Sequence, residues 1–400
     1  MITRRRLLPL MFFLFYIAWA IFPRRPLAVP HLKDETAATS PEIWGEDKQG
    51  ARREGLILCL SGGGYRAMLF HLGSLWRLNE AGLLPTFDRV SSVSGGSIVA
   101  GLLASKWHDL SFDSDGFASN LEEVVARPLR RLASRTSDRS AIIFGLITHE
   151  DAASYLADMY RTEIVGDRSL GSLPEHPDFR IYATNLNNGR PWQFGKTWMG
   201  DSELKAESDM FPIAAAIAAS SAFPPFLSPF EIDVRDGSFS RKVMLADGGV
   251  YDNLGLTRAQ GYRTVFVSDA SASVIDSNDL GRSWLSQLPR AIDLIYRQPG
   301  LMRIENLEEI LKGGQATGAY WTIRDNLDER SVRSDLCFPK DISVTLASIP
   351  TRLLALTDTE QERLVDWGYV VTDAALRSSI QNKRSSPVRF PYPRSVPPCR

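Results

Sequence analysis

The chain has 400 residues, 44% of them hydrophobic, and a formal net charge of −1, enough apolar material for one large or two small globular domains. So even a charge balance offers no basic footprint for nucleic acid. Three cysteines are too few for a disulfide scaffold: Cys59 reads as a small core residue, while Cys337 and Cys399 would pair in an exported chain or stand as two unrelated thiols.

At the N-terminus Arg4, Arg5 and Arg6 precede an apolar run from Leu7 to Phe22, and Pro23, Arg24 and Arg25 follow it. Residues 1–25 therefore read as a membrane anchor or signal segment. The run is at the lower edge of length for a spanning helix, Pro9 lies within it, Ala18-Trp19-Ala20 resembles a cleavage site, and Thr3 to Leu8 resembles a twin-arginine signal. A membrane-associated chain held by an uncleaved anchor is expected, with export after cleavage as the alternative. Residues 26–53, polar, mixed in charge and broken by prolines, read as a linker.

From Leu56 to Ser105 one strand-turn-helix unit occurs twice. Leu56 to Leu60 is a continuous apolar run of strand length, as expected for a buried parallel strand, and Gly62-Gly63-Gly64 ends it. Met68, Leu69, Leu72, Leu75 and Trp76 then recur at helical spacing up to Gly82, which stands where a left-handed cap is wanted. In the second unit Val90 to Val93 leads into Ser94-Gly95-Gly96 and the apolar helical run Ile98 to Ala104. A helix N-terminus preceded by glycines offers free N–H groups to a developing negative charge, so the first turn is a candidate oxyanion hole. A serine at a tight strand-to-helix corner, with small neighbours at Ser92 and Gly96, is a candidate nucleophile of the G-x-S-x-G elbow type. Two other readings compete. Gly62 to Ala67 also fits a dinucleotide fingerprint, but the acidic residue wanted after the second strand is missing; and either turn alone could merely redirect the chain.

Leu121 to Arg135 carries an apolar stripe beside Arg127, Arg130, Arg131 and Arg135, either a solvated basic face or a contact for anionic lipid headgroups. Phe179 to Thr184 and Pro191 to Phe194 are strand-like and joined through Asn187-Asn188-Gly189, a hairpin signal. Gly195-Lys196-Thr197 ends like a P-loop, but the motif needs glycine at position 190, where Arg190 stands. Phe211 to Ala222 is an alanine-rich helix stopped by Pro224-Pro225. Val243 to Ala246 is a short strand running into Asp247-Gly248-Gly249, and Thr264 to Ser268 another ending in Asp269. Either aspartate stands where open parallel sheets put their ligands; Asp247 is preferred because two glycines after it allow close approach to another turn. Trp284 to Tyr296 is apolar and broken by Pro289, Thr359 to Arg377 is an amphipathic helix, and the tail from Gln381 is proline-rich and basic.

The last of the five histidines is His176, ahead of Asp247, so a triad in the order Ser, Asp, His cannot be assembled. His71, on the first helix, remains open as a base or as a structural residue. No H-E-x-x-H and no clustered His/Cys set is present, so neither a metal nor another cofactor is expected. What remains is a serine with a carboxylate partner.

These residues resemble the patatin-like phospholipase family. Ser61-Gly62-Gly63-Gly64-Tyr65-Arg66 is similar to its G-G-G-x-R oxyanion motif, Ser92-Val93-Ser94-Gly95-Gly96 to its G-x-S-x-G elbow, and Asp247-Gly248-Gly249 to its D-G-[AG] motif. Ala219 to Pro225 is similar to its A-S-x-A-x-P-P segment, all in family order, and Trp367-Gly368-Tyr369 lies in what resembles the closing helix of bacterial members. Ser92 replaces the usual first glycine of the elbow, and Ser61 stands where plant patatins carry aspartate.

The resemblance implies a three-layer α/β/α fold with a central, mostly parallel sheet, a catalytic core over 54–262, its C-terminal completion over 263–380, and a basic tail over 381–400. It implies a lipid acyl hydrolase of phospholipase A or lysophospholipase type, acting on lipid at a membrane surface. Ser94 and Asp247 would be the catalytic dyad, Gly62, Gly63 and Gly64 the oxyanion hole, and Ser92, Gly95 and Gly96 the elbow. A carboxylate serves as base to a serine only in a dry, apolar setting. Arg66 would bind a phosphate headgroup or brace the turn. An acyltransferase using the same dyad and a non-catalytic lipid-binding regulator are the alternatives.

Overall fold

A computed structural model of the chain describes residues 27–29, 53–137, 152–224, 227–236, 239–271, 283–329, 334–379 and 389–397. Its strands, in chain order, are β1 (Leu27–Val29), β2 (Arg53–Leu60), β3 (Arg89–Val93), β4 (Asp178–Asn185), β5 (Arg190–Phe194), β6 (Trp198–Gly200), β7 (Lys205–Glu207), β8 (Phe230–Asp236), β9 (Phe239–Asp247), β10 (Tyr262–Asp269) and β11 (Thr317–Thr322). They form one sheet in the order β1-β8-β9-β4-β3-β2-β10-β11, with β5 to β7 branching from β4. From β4 through β11 all neighbours on this path run parallel, whereas β9 lies antiparallel to β4 and β8.

Strand β2 is apolar without alternation because both of its faces are covered. Leu58 and Leu60 join one core with Val90, Ile181 and Ala183; Ile57 and Cys59 join another with Val265, Val267, Leu254 and Leu256. Helices α1 (Gly64–Glu80), α2 (Gly95–Ser105), α3 (Arg127–Ala133), α4 (Ala152–Tyr160), α5 (Ile213–Ser220) and, after α6 (Gly249–Asp252), α7 (Trp284–Lys312) and α8 (Lys340–Ser348), α9 (Asp358–Ser379) divide between the two faces. Residues of α1, α2, α5 and α9 fill the first core, and Leu307 of α7 enters the second. This is the three-layer arrangement expected.

Helices α1 and α9 touch backbone to backbone. A methyl group on Gly73 would stand 1.9 Å from the Val365 carbonyl oxygen, and one on Gly368 1.9 Å from that of Phe70. The Trp367-Gly368-Tyr369 run thus belongs to a helix crossing, with Trp367 and Tyr369 both buried.

Several expectations change. The stretch from Trp284 is one continuous helix through Pro289; a proline inside a helix removes one hydrogen bond and kinks it without necessarily ending it. Three of the four arginines of the 121–135 segment are engaged by acids, Arg127 with Glu122 at 3.6 Å, Arg130 with Glu362 at 3.0 Å, and Arg135 with Glu163, which favours the bland account over lipid headgroups. Among the described residues no helix is long and apolar enough to cross a membrane. The anchor expected over residues 7–22, the signal-peptide alternative on the same stretch and the linker up to residue 52, apart from Leu27–Val29, lie outside the described residues, so the expected membrane location is withdrawn. Cys59 is a free, buried thiol and Cys337 is disulfide-bonded; Cys399 lies outside the described residues. The described part of the tail, 389–397, is laid against the domain, with Phe390, Tyr392 and Val396 packed on the core.

Candidate active site

Register brings the ends of β2 and β3 together. Leu60 is level with Ser92 on one side and Ser268 on the other, so the two glycine-rich turns leave the sheet side by side. Their contact requires the absence of side chains: a methyl group on Gly62 would lie 3.1 Å from the Ser94 Cβ, and one on Gly95 would lie 2.3 Å from the Gly64 carbonyl oxygen. The Gly96 N–H donates to the Ser61 carbonyl at 3.1 Å.

Ser94 has φ 51° and ψ −119°, and among the described residues it is the one non-glycine with positive φ. It caps α2, whose first turn takes up its carbonyl through Ser97 N–H at 2.8 Å and Ile98 N–H at 3.2 Å. The residue is 7% exposed. Its own N–H donates to the Ser220 hydroxyl at 2.9 Å.

Asp247 ends β9, 2% exposed, and sits opposite Ala183 of β4, while Val93 sits opposite Tyr182. Ser94 and Asp247 therefore leave the same end of the sheet on the two sides of β4, where Val93 and Asp247 are level with the adjacent residues Tyr182 and Ala183. The Asp247 carboxylate accepts the Gly249 N–H at 2.8 Å, and the Asp247 N–H donates to the Ala222 carbonyl at 2.9 Å. No hydrogen bond involving the Ser94 hydroxyl is present among the described residues; catalytic contacts of this kind commonly tighten only around substrate.

A family model of patatin-like phospholipases matches residues 58–259, a stretch that contains both turns and Asp247. The chain belongs to the patatin-like phospholipase family. An uncharacterized protein of Bacillus subtilis, YqhO, is 27% identical over 203 residues, covering 48% of this chain and 62% of its own. An uncharacterized NTE family protein of Mycobacterium tuberculosis is 25% identical over 255 residues, covering 62% of this chain and 59% of its own. The chain thus spans about three fifths of the length of these curated relatives. Among solved structures, human GIVD cytosolic phospholipase A2 aligns over 81% of this chain and 59% of its own, at 11% identity and a TM-score of 0.47.

Within this patatin-like site the remaining candidates sort by their partners. The Gly62 N–H is committed to the Asn253 carbonyl at 2.9 Å, which takes Gly62 out of the donor set. The Gly63 and Gly64 N–H groups have no partner among the described residues, as the first turn of a helix leaves them. Arg66 is 1% exposed and donates to the Ala270 carbonyl at 2.8 Å, to the Thr351 hydroxyl at 3.0 Å and to the Ile349 carbonyl. It braces the turn, and the phosphate-headgroup role falls away. The Tyr65 N–H donates to the Arg352 carbonyl at 3.1 Å, so residues 349–352 close over the start of α1.

His71 is fully buried between Ser61 and Ser268. Because the Ser61 carbonyl can only accept, Nε2 carries the proton and Nδ1 accepts from the Ser268 hydroxyl. Burial holds its pKa down to about 4, so it is a neutral structural residue. Asp269 is also fully buried, but its carboxylate is taken by Arg324 at 2.8 Å, Tyr320 at 2.8 Å and the Ser271 N–H at 2.8 Å. Ser92 is buried and donates to the Arg180 carbonyl at 3.3 Å. Ser220, Asn253 and Arg352, which hold the two turns, carry no site role in the sequence reading, although Ser220 stands in the Ala219 to Pro225 segment that it singles out. Among the described residues no group of three or more His, Cys, Asp or Glu is arranged to hold a metal ion.

Proposed function

We propose that the chain is a serine lipid acyl hydrolase that cleaves ester bonds of phospholipids or lysophospholipids, with Ser94 as nucleophile, Asp247 as its base and Gly63 and Gly64 as oxyanion donors. The observation that carries this reading is the Ser94 backbone at φ 51° and ψ −119°, seated against the first glycine turn. Strain of this kind persists only where the surrounding fold over-determines it, and it clusters at functional sites.

In the proposed reaction the Ser94 oxygen attacks the ester carbonyl carbon while the Asp247 carboxylate takes the hydroxyl proton. Charge gathering on the carbonyl oxygen is held by the Gly63 and Gly64 N–H groups at the positive end of α1. The ester C–O bond then breaks, Asp247 returns the proton to the departing lipid alcohol, and the acyl group stays on Ser94. Water attacks the acyl-serine, gives its proton to Asp247, and the fatty acid leaves as the Ser94 hydroxyl is restored.

A fluorophosphonate probe should label the parent chain and leave Ser94→Ala unlabelled, and a mixed lipid extract resolved by mass should yield free fatty acid and a deacylated lipid. Labelling that persists in Ser94→Ala, at Ser92 or Ser97, would discard Ser94 as nucleophile. Acyl transfer to a lipid alcohol without free fatty acid would discard hydrolysis in favour of transfer.

A further inference from the structure

The two halves of the proposed dyad hang from one short turn. Where α5 ends, the Ser220 hydroxyl accepts the Ser94 N–H at 2.9 Å and donates to the Tyr182 carbonyl at 2.6 Å. The Ser220 carbonyl accepts the Gly248 N–H at 3.2 Å, and the Ala222 carbonyl accepts the Asp247 N–H at 2.9 Å. Residues 220–222 therefore hold the elbow by a side chain and the aspartate turn by two backbone carbonyls. Between those two attachments lies Tyr182, the β4 residue level with Val93.

The Ser220 hydroxyl both donates and accepts. Its proton goes to Tyr182, and its lone pairs face Ser94 and the Ser97 oxygen, 2.9 Å away. Ser97 in turn donates to the Ser92 oxygen at 3.1 Å. Ser220 is fully buried, which removes it as a nucleophile. A side chain so placed supports a backbone that would otherwise relax, since positive φ in a serine is held only by its surroundings.

We propose that Ser220 is a positioning residue for the nucleophile: its hydroxyl fixes the Ser94 elbow while carbonyls of the same turn fix the end of β9, so one segment sets the spacing of Ser94 and Asp247. This rests on the Ser94/Asp247 reading above. Its consequence is a loss in turnover with binding preserved, because Ser220 touches the backbone of the nucleophile and not the lipid. Ser221 supplies a matched control. It is 4% exposed, on the same turn, and its hydroxyl goes to the Ile217 carbonyl at 2.7 Å, away from Ser94.

The test compares Ser220→Ala, Ser221→Ala, Ser220→Thr and Ser94→Ala in the full chain, on a short-chain nitrophenyl ester and by rate of fluorophosphonate labelling. Ser220→Ala should lower kcat and labelling rate by about 10- to 100-fold, as expected of a displaced reacting atom, with KM changed by less than about twofold. Ser221→Ala should melt at a similar temperature with kcat within about twofold of the parent, and Ser220→Thr, which keeps the hydroxyl, should recover most of the labelling rate. Should Ser220→Ala fail to fold, Ser220→Cys, of like volume and a poor acceptor, is read in its place. A kcat for the Ser220 variant within about twofold of the parent, or an equal fall in Ser221→Ala, overturns the proposal. An active Ser94→Ala would overturn the dyad and this proposal with it, whereas an inert Ser94→Ala beside an unimpaired Ser220→Ala overturns the proposal alone.

Discussion

Ser94 carries the backbone of the first central residue of a II′ turn, a conformation glycine adopts freely and serine only under constraint, at about 1–3 kcal/mol. Ser94→Gly should therefore raise the unfolding free energy by about 1 kcal/mol while abolishing ester hydrolysis, and Ser94→Ala should abolish hydrolysis with stability little changed. Urea titration beside a nitrophenyl ester assay checks both; a glycine variant no more stable than the parent would show the elbow to be unstrained. The two strand-ending aspartates should separate in the opposite sense. Asp247→Asn should cut kcat by several orders of magnitude with the melting temperature near the parent's, because an amide cannot take the serine proton. Asp269→Asn breaks the contact with Arg324 and should cost about 2–4 kcal/mol of stability, with kcat of the folded fraction little changed. The reverse ranking in kcat would make Asp269 the base. Sequence alone preferred Asp247 only on the two glycines after it, since both aspartates end apolar strands, and the group that sets Asp269 apart, Arg324, lies 55 residues beyond it. Arg66 was undecided for the same reason: its acceptors at Ala270 and Ile349 belong to distant segments.

At the scale of elements, local signals located the strands and turns that matter. The unbroken run Leu56 to Leu60 marks a strand covered on both faces, the helical period after Gly64 marks α1, and Asn187 to Gly189 marks the hairpin of β4 and β5, which closes with Asn185 opposite Arg190. Which helix meets which is not a local property. Gly73 lies within the helical period after Gly64 and Gly368 within Trp367-Gly368-Tyr369, and no local pattern pairs them, yet they are the crossing point of α1 and α9. Gly73→Ala should push the helices apart against the Val365 carbonyl and cost about 1–3 kcal/mol by overpacking, although alanine has the higher helix propensity. An equal or raised denaturation midpoint would mean that the crossing has room to spare. Ser220 was opaque for a related reason: a serine within an alanine-rich helix reads as core, and its partner Ser94 is 126 residues away.

At the scale of the molecule, His71 and Asp366, both buried, pull stability in opposite directions with pH. His71 is held down to about 4 by burial, so between about pH 6.5 and 4 the unfolded chain binds a proton that the folded chain refuses. Its contribution is full above 6.5 and is lost on acidification, of the order of 3 kcal/mol in all. Asp366, beneath Tyr392 and Ser395, is pushed up to about 7 by burial. It keeps its proton in the folded chain, so its contribution is full below the unfolded value of 3.8 and is lost as pH rises through about 7. The two windows overlap and the parent chain should show a shallow profile. Asp366→Asn removes one slope: urea midpoints for that variant should fall steadily from about pH 6.5 to 4.5, while the parent's stay nearly level. A flat variant would mean that His71 is not the opposing group.

The bracing of the first glycine turn also sets a time. Arg66 reaches the Ile349 carbonyl across 283 residues of sequence, and at roughly 5–20 residues per second a ribosome needs on the order of half a minute to cover that distance. A nascent chain that already displays Ser94 and Asp247 still lacks the segment that closes over the start of α1. Every motif of the proposed site is translated before the segment that braces it, so a partly made chain carries those letters without their geometry. The proposed activity is in effect dated to the translation of residues 349–352.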